Sequence, residues 1–179
     1  LRGAVYVFRA TNDVWFEEMK ITAADSAFFD FFGSSISLYN DTLAVGVPFH
    51  KVGTKASQGA VYVYARSGTS WPLQKKITDS FGAEKDFFGA AVSLHGDTLA
   101  IGVPATDNTP ARLGSTYIFN RTGSSWTREA KINAADGQEN DGFGISVSLR
   151  NETLAVGTVR GTDNQQTTTG RAYVFTRIG

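Results

Sequence analysis

The sequence predicts an all-β fold made of repeated four-stranded antiparallel units, and three features of the chain point to it. A Phe-Gly pair begins at positions 32, 88 and 143, so it recurs after 56 and then 55 residues. The run Gly-Ala-Val-Tyr-Val-Phe starts at Gly3 and returns in related form at Gly59, Gly114 and Gly170. Short segments of alternating hydrophobicity, separated by Asn, Asp and Gly, fill each period. A fixed period of this length indicates a propeller, a solenoid or an array.

Each period holds four predicted strands. In the first complete unit, strand one is predicted over Ser34–Leu38, with serines on one face and aliphatic residues on the other. Strand two, Leu43–Val47, alternates large aliphatic residues with Ala and Gly, which suits a strand between two sheets, one of them very close. Strand three is predicted over Ala60–Tyr64 and strand four around Trp71–Ile77. Four-stranded antiparallel units stacked around an axis are the blades of a β-propeller.

The repeats are expected to form one propeller segment over residues 1–179. Its landmarks divide the chain into units 3–58, 59–113 and 114–169 and a closing strand at 170–179. Residues 3–22 supply only strands three and four of a unit, and residues 143–175 only strands one to three. Because open strand edges require partners, we expect either a trimmed piece of a longer propeller or an assembly of copies. The preferred assembly is a dimer that forms a six-bladed ring, with the missing outer strand coming from residues 15–22 or from another chain.

Composition excludes several classes of partner. Lys plus Arg and Asp plus Glu both number 17, so the net charge is zero, which argues against nucleic acid and against a polybasic membrane-surface role. No run approaches the roughly 18 apolar residues of a membrane span. We therefore expect no nucleic-acid partner and no membrane insertion. The chain has no cysteine, so disulfides do not hold it together.

The motifs resemble those of a known family. Phe-Gly before a hydrophobic strand, then Leu-Ala-Val-Gly-Val-Pro and Gly-Ala-Val-Tyr-Val-Phe, is similar to the FG-GAP repeat of integrin α-subunit propellers, closest to its bacterial extracellular versions. The resemblance covers Gly3 to Phe175, although the third copy lacks the proline that follows Gly-Val in the other two. It implies an extracellular, cell-surface or periplasmic location and a role in adhesion or binding.

The family often carries a calcium loop between strands one and two, and this chain departs from it. The corresponding turns, Tyr39–Thr42, His95–Thr98 and Arg150–Thr153, are too short to present the six or more oxygens that calcium requires. We therefore expect no cofactor and no metal. The weak candidates for a cation site precede each Phe-Gly pair: Asp30, Asp86 and Asp141. The alternative is that these carboxylates accept backbone N–H bonds.

Candidate ligand-binding residues come from repeated aromatics and variable loops. Trp15, Trp71 and Trp126 occur once per repeat and would stack on sugar rings, unless they pack between blades as large rings usually do. The loops between strands two and three, 49–58, 105–113 and 159–169, vary between repeats, as recognition loops do. Their candidates are His50, Asp107, Asn108, Asp163 and Asn164.

No motif in the chain indicates catalysis. A nucleophile elbow, an HExxH pair and a phosphate-binding glycine loop are all missing from the sequence. We expect a non-catalytic extracellular module that binds a protein or a glycan through the propeller-face loops, with repeated weak sites that add up in avidity. The alternatives are a structural or assembly piece of a larger surface protein with no ligand of its own, and a hydrolase on a propeller scaffold.

Overall fold

The computed structural model describes residues 2–105, 113–159 and 170–178, and in these ranges the chain is built from β-strands without a helix. The strands are β1 (Val5–Thr11), β2 (Val14–Ile21), β3 (Ser35–Tyr39), β4 (Thr42–Val47), β5 (Ala60–Ala65), β6 (Leu73–Ile77), β7 (Ala91–His95), β8 (Thr98–Val103), β9 (Ser115–Thr122), β10 (Ser125–Ile132), β11 (Ser146–Arg150), β12 (Thr153–Thr158) and β13 (Arg171–Thr176). The prediction of an all-β chain is confirmed for the described residues.

The strands form four antiparallel sheets in chain order. Strands β3–β6 form blade 1, β7–β10 form blade 2, and β11–β13 form blade 3, which has three strands. Strands β1 and β2 pair only with each other, as the N-terminal hairpin. Among the described residues, this hairpin therefore does not supply the fourth strand of blade 3, and the sheets are not closed into a ring.

Turn residues define the strand boundaries. Asn40, Gly96 and Asn151 begin the turns between the first two strands of the three blades, with φ of 49°, 60° and 51°. Asn and Gly tolerate this left-handed backbone, so these tight turns were predictable from sequence. Strand β6 starts at Leu73, after the predicted Trp71, because Pro72 has no N–H to donate to the ladder with β5.

The core lies between neighbouring sheets. One cluster joins aliphatic residues of blade 1, such as Val61 and Val63, to Phe88 and Leu99 of blade 2. The small residues of strand two allow this close approach. A Cβ added at Gly46 would lie 2.1 Å from the carbonyl oxygen of Gly89 in the next blade. The sequence prediction that one face of this strand meets a very close neighbour is therefore confirmed.

Candidate functional site

One end of the sheets carries the connections that lead from each sheet to the next, and we call this end the loop face. Antiparallel strands alternate in direction, so connections 22–34, 78–90 and 133–145 emerge at the same end as the strand-two to strand-three loop 48–59. Each connection is fixed to strand three of the preceding sheet by a parallel bridge. The bridges join Gly3 to Phe32, Gly59 to Phe88 and Gly114 to Phe143.

An aspartate organises each of the three connections. The carboxylate of Asp30 accepts the backbone N–H of Ala27 at 2.8 Å, and Asp141 accepts that of Gln138 at 2.8 Å. In the same way, the carboxylate of Asp86 accepts the backbone N–H of Ala83 at 2.5 Å. The structural interpretation of these aspartates as acceptors of backbone N–H bonds is confirmed.

The residues on both sides of each aspartate have a left-handed backbone. The six residues, with their φ values, are Phe29 (69°) and Phe31 (56°), Lys85 (60°) and Phe87 (56°), and Asn140 (67°) and Gly142 (68°). The third repeat uses Asn and Gly, which adopt this conformation at low cost. The first repeat places phenylalanine at both positions, although a bulky side chain is strained there.

The strained phenylalanines form part of an exposed aromatic row. The ring centroids of Phe31 and Phe49 are 5.2 Å apart with planes inclined by 54°, and those of Phe49 and Phe87 are 5.4 Å apart, inclined by 66°. We call these three residues the aromatic ladder. Phe31 and Phe49 are both 42% exposed and Phe87 is half-buried, so the ladder presents two apolar rings to solvent beside a third that is partly covered. Phe28 and Phe29, also exposed, precede it in the chain.

A partly buried polar network lies near the loop-face end of blade 1. His50 Nδ1 is 2.7 Å from Asp30 Oδ2, and His50 Nε2 is 2.8 Å from Lys76 Nζ. Lys76 also donates to Asp25 Oδ2 at 2.5 Å, and the hydroxyl of Tyr62 donates to Asp25 Oδ1 at 2.7 Å. Because an ammonium group only donates, the imidazole accepts at Nε2 and carries its proton on Nδ1, where it donates to Asp30. Both ring nitrogens are therefore engaged.

The network shifts the ionisation of its members. Burial raises the pKa of Asp25, but hydrogen bonds from Lys76 and Tyr62 outweigh burial, and its pKa lies below the ordinary value. Burial and the hydrogen bond to Asp25 raise the pKa of Tyr62 well above its ordinary value. Burial, with the charge of Asp25, also raises the pKa of Tyr64 to about 12. The network thus keeps the half-exposed Asp25 carboxylate charged and keeps Tyr62 and Tyr64 of blade 1 neutral.

A family comparison accounts for the repeated geometry. The model of the FG-GAP repeat matches residues 15–64, 71–119 and 126–175, which is most of the chain. The chain belongs to the FG-GAP repeat family. A search of curated proteins found no match to it. Each FG-GAP match begins at a tryptophan and ends in strand three of the next sheet, so it includes one connection of the loop face.

The tryptophans of the FG-GAP units have two different environments. The indole N–H of Trp71 donates to Glu18 Oε1 at 3.3 Å, and that of Trp126 donates to Gln74 Oε1 at 2.8 Å. Both acceptors lie in the fourth strand of the preceding sheet. The two tryptophan side chains are 4% and 6% exposed, so the prediction that they stack on a sugar is wrong for this arrangement. Burial between sheets leaves no ring face free. Trp15 is 70% exposed, since no sheet among the described residues packs against it as the N-terminal hairpin packs against Trp71.

His50 also differs from its predicted role. It was a candidate ligand-binding residue of the 49–58 loop, but the structure buries it and engages both ring nitrogens within the protein. Lys76 and Asp30 come from distant parts of the chain, so no local spacing indicated this network. Asp107, Asn108, Asp163 and Asn164 lie outside the described residues. Their proposed binding role stays a prediction.

The described part of the chain contains neither a group of metal ligands nor a membrane-spanning helix. In residues 2–105, 113–159 and 170–178, no three His, Asp or Glu side chains come together as a metal-ligand group. Within the same ranges, no helix has the length and apolar character needed to cross a membrane. The expectation that this FG-GAP chain binds no cofactor stays a prediction.

The aromatic ladder was missed by sequence reasoning. The signal was present as a phenylalanine directly before Phe32 and Phe88, where the third repeat has Gly142. From the sequence alone, these residues look like apolar positions just before the predicted strand one. Only the structure shows that both occupy a conformation suited to glycine and that the ring of Phe31 is exposed.

Proposed function

We propose that this FG-GAP protein is a non-catalytic extracellular binding module whose ligand docks on the aromatic ladder. The observation that carries the proposal is the left-handed backbone of Phe31, which is exposed, and of Phe87, which is half-buried. Strain of this kind persists where the surrounding structure enforces it, and it clusters at binding sites. The third repeat, with Gly142, indicates that the connection itself does not need phenylalanine there.

The chemistry of the ladder favours an apolar protein segment over a glycan. The planes of neighbouring rings are inclined by 54° and 66° to each other. The rings therefore form a ridged surface with clefts for side chains and do not form a flat platform for a sugar ring. Sugar sites also need polar groups that orient hydroxyls. The carboxylate of Asp30, just below the ladder, is occupied by Ala27 and His50. Exposed aromatic patches of this kind mark protein interaction sites.

Absence of catalysis is part of the proposal. An Asp–His pair such as Asp30–His50 could supply the base and the group that orients it in an arrangement that activates a nucleophile. Here the second ring nitrogen contacts the Lys76 ammonium, and the imidazole is buried, so it is not free to accept a substrate proton. We further propose that the sheets are blades of a propeller, which would display the loop face as one rim.

Selection of binding peptides from a phage-displayed library tests the proposal. We expect enriched peptides rich in aliphatic or aromatic residues whose binding weakens at least about tenfold in Phe49→Ser, as for a central interface residue. The matched control is Phe81→Ser, because Phe81 is an exposed phenylalanine of the same face outside the ladder.

Two results would count against the proposed site. One is a set of enriched peptides that bind Phe49→Ser as well as the unmodified protein. The other is a failed peptide selection together with a positive glycan array, which would transfer the function to sugar recognition. Blank results in both screens would favour the structural or assembly role.

A further inference from the structure

Strand three of each blade carries a tyrosine whose hydroxyl donates to a carboxylate of the connection before that blade. The three pairs are Tyr62 with Asp25 at 2.7 Å, Tyr117 with Asp79 at 2.6 Å and Tyr173 with Asp136 at 2.8 Å. Asp25 and Asp136 each stand seven residues before the Phe-Gly pair of their repeat, whereas Asp79 stands nine residues before it. In blade 2 the common position is taken by Phe81. The blades therefore share the hydrogen bond but not the place of the carboxylate.

The carboxylate at the common position also binds a cation of its own blade. Lys76 donates to Asp25 at 2.5 Å, and Arg171 donates to Asp136 at 3.0 Å. Each of these bonds joins a positive to a negative group, which makes it stronger than a bond between neutral groups. A blade that lacks this aspartate is therefore expected to leave its cation without the usual partner.

Blade 2 is the blade that lacks it. Lys131 corresponds to Lys76 in the repeat. Its Nζ lies 5.2 Å from the ring centroid of Tyr117, and Lys76 lies at the same distance from the ring of Tyr62. Phe81 offers no side-chain oxygen, and its ring is exposed. In the part of the chain that the structure describes, the ammonium of Lys131 therefore has no ion pair and no hydrogen-bond acceptor.

A second cation, Arg128, lies beside the same ring. Its Cζ is 5.5 Å from the ring centroid of Tyr117, and its side chain is exposed. At the equivalent position blade 1 has Leu73, so this charge distinguishes blade 2 from blade 1. Arg128 Nη1 is 3.8 Å from Asp79 Oδ1, a long contact that occupies little of a group with five N–H donors. We call Arg128 and Lys131 the cation pair.

The two carboxylates near the cation pair are bonded within the protein. Asp79 is buried, and its oxygens accept the hydroxyl of Tyr117 and the backbone N–H of Phe81, the latter at 3.0 Å. Asp86 accepts the backbone N–H of Ala83 at 2.5 Å. Neither carboxylate takes the place that Asp25 has in blade 1, and the cation pair can accept an external one.

A cavity at the loop face opens onto the cation pair. Its volume is about 550 Å³, and its lining includes Asp86, Tyr117 and both cations. Asp86 directly precedes Phe87, the ring at one end of the aromatic ladder. A protein segment that crosses the ladder can therefore place one of its side chains in this cavity.

We propose that the ligand of the aromatic ladder carries an acidic side chain whose carboxylate binds the cation pair of blade 2. This inference rests on the proposed function, because it names one chemical group of the same ligand. Blade 1 shows the charge balance that such a complex would reach, since its network contains the carboxylates of Asp25 and Asp30 and the one ammonium of Lys76. In blade 2 two carboxylates face two cations, so a third carboxylate gives the same excess of one negative charge. The ligand thus supplies the group that Asp25 supplies in blade 1.

Peptides selected against the unmodified protein test the inference. We expect them to combine apolar residues with one Asp or Glu at a fixed spacing. Each peptide is synthesised with an acetylated N-terminus and an amidated C-terminus, so that the side chain is its only source of a carboxylate. Exchange of the acidic residue for Asn or Gln should weaken binding about two- to fivefold at low ionic strength, as for a partly exposed ion pair. This difference should shrink in about 1 M salt, where charges are screened beyond about 3 Å.

Four variants of the protein locate the carboxylate. Lys131→Met removes the ammonium and keeps an apolar chain at Tyr117, so the acidic and amide peptides should bind this variant alike. The matched control is Lys75→Met, an exposed lysine in the fourth strand of blade 1 outside the cavity, which should retain the preference for the acidic peptide. Phe81→Asp returns a carboxylate to the position of Asp25 and should remove the preference, because the internal carboxylate competes for Lys131. Phe81→Asn, which has a similar shape without the charge, should retain it.

The outcomes separate this inference from the proposed function. Selected peptides without an acidic residue, equal binding of the acidic and amide peptides, or a preference that persists in Lys131→Met would overturn the inference. The proposed function would survive each of these results as long as Phe49→Ser still weakens binding. Peptides that bind Phe49→Ser as well as the unmodified protein would instead remove the proposed function, and the inference would fall with it. Thermal unfolding of each variant checks that it remains folded.

Discussion

Substitution of Phe31 provides a direct test of the strain in the aromatic ladder. Both Phe31→Ala and Phe31→Gly remove the ring, so the lost ring contacts cancel when the two variants are compared. At φ of 56°, alanine retains a Cβ that costs about 1–2 kcal/mol in the left-handed region, whereas glycine has none. Glycine gains about 0.5–1 kcal/mol of extra freedom in the unfolded chain, which works against it. We therefore expect Phe31→Gly to be the more stable variant by about 1 kcal/mol.

Urea denaturation at equal m-values measures this difference, and thermal unfolding should show a gap of about 2–4 °C for a chain of this size. The matched pair is Phe81→Ala and Phe81→Gly, because Phe81 is exposed and its φ is not positive. There alanine should be the more stable of the two. If alanine is also the more stable residue at position 31, the backbone there is not strained, and the argument that phenylalanine is held for binding loses its basis.

Three further predictions concern packing, ionisation and metals. Gly102→Ala should lower the free energy of unfolding by about 1–3 kcal/mol in urea denaturation, because its Cβ would meet a backbone oxygen of blade 3 at 1.9 Å. The control is Gly137→Ala, because Gly137 has no positive φ and its nearest neighbour is a side-chain carbon at 3.2 Å; an equal loss in both variants would contradict close sheet packing. Stability should fall above pH 10 by up to about 1.4 kcal/mol per pH unit for Tyr62, since its raised pKa keeps it protonated when folded while the unfolded chain ionises. Tyr62→Phe should reduce this slope in denaturation curves measured against pH, and an unchanged slope would contradict the assignment. Asp141→Ala should lower the melting temperature equally with and without calcium, because the carboxylate accepts a backbone N–H; a calcium-dependent stabilisation that disappears in this variant would instead indicate a metal site.

Local chemistry explains why much of the fold was predictable. Strand alternation, the left-handed turn residue Asn40 and the small Gly46 each act through neighbours close in sequence or through backbone geometry. The repeat strengthens each of these predictions, because the same local pattern occurs in every sheet. The tryptophan steps likewise predicted one equivalent position per unit, although they did not show which tryptophan would be buried.

The sequence by itself determined the repeat, the four-strand unit, the tight turns and the family. Only the tertiary structure decided which equivalent residues of the repeat differ in burial and in contacts. Trp71 is buried because the N-terminal hairpin packs against it, whereas Trp15 is exposed and no sheet of the described residues covers it. His50 became internal through Lys76 and Asp30, which are distant in sequence. Phe31 became a candidate contact only when its backbone conformation and exposure were known. A local pattern fixes backbone preferences, but burial depends on what the rest of the chain places against each face.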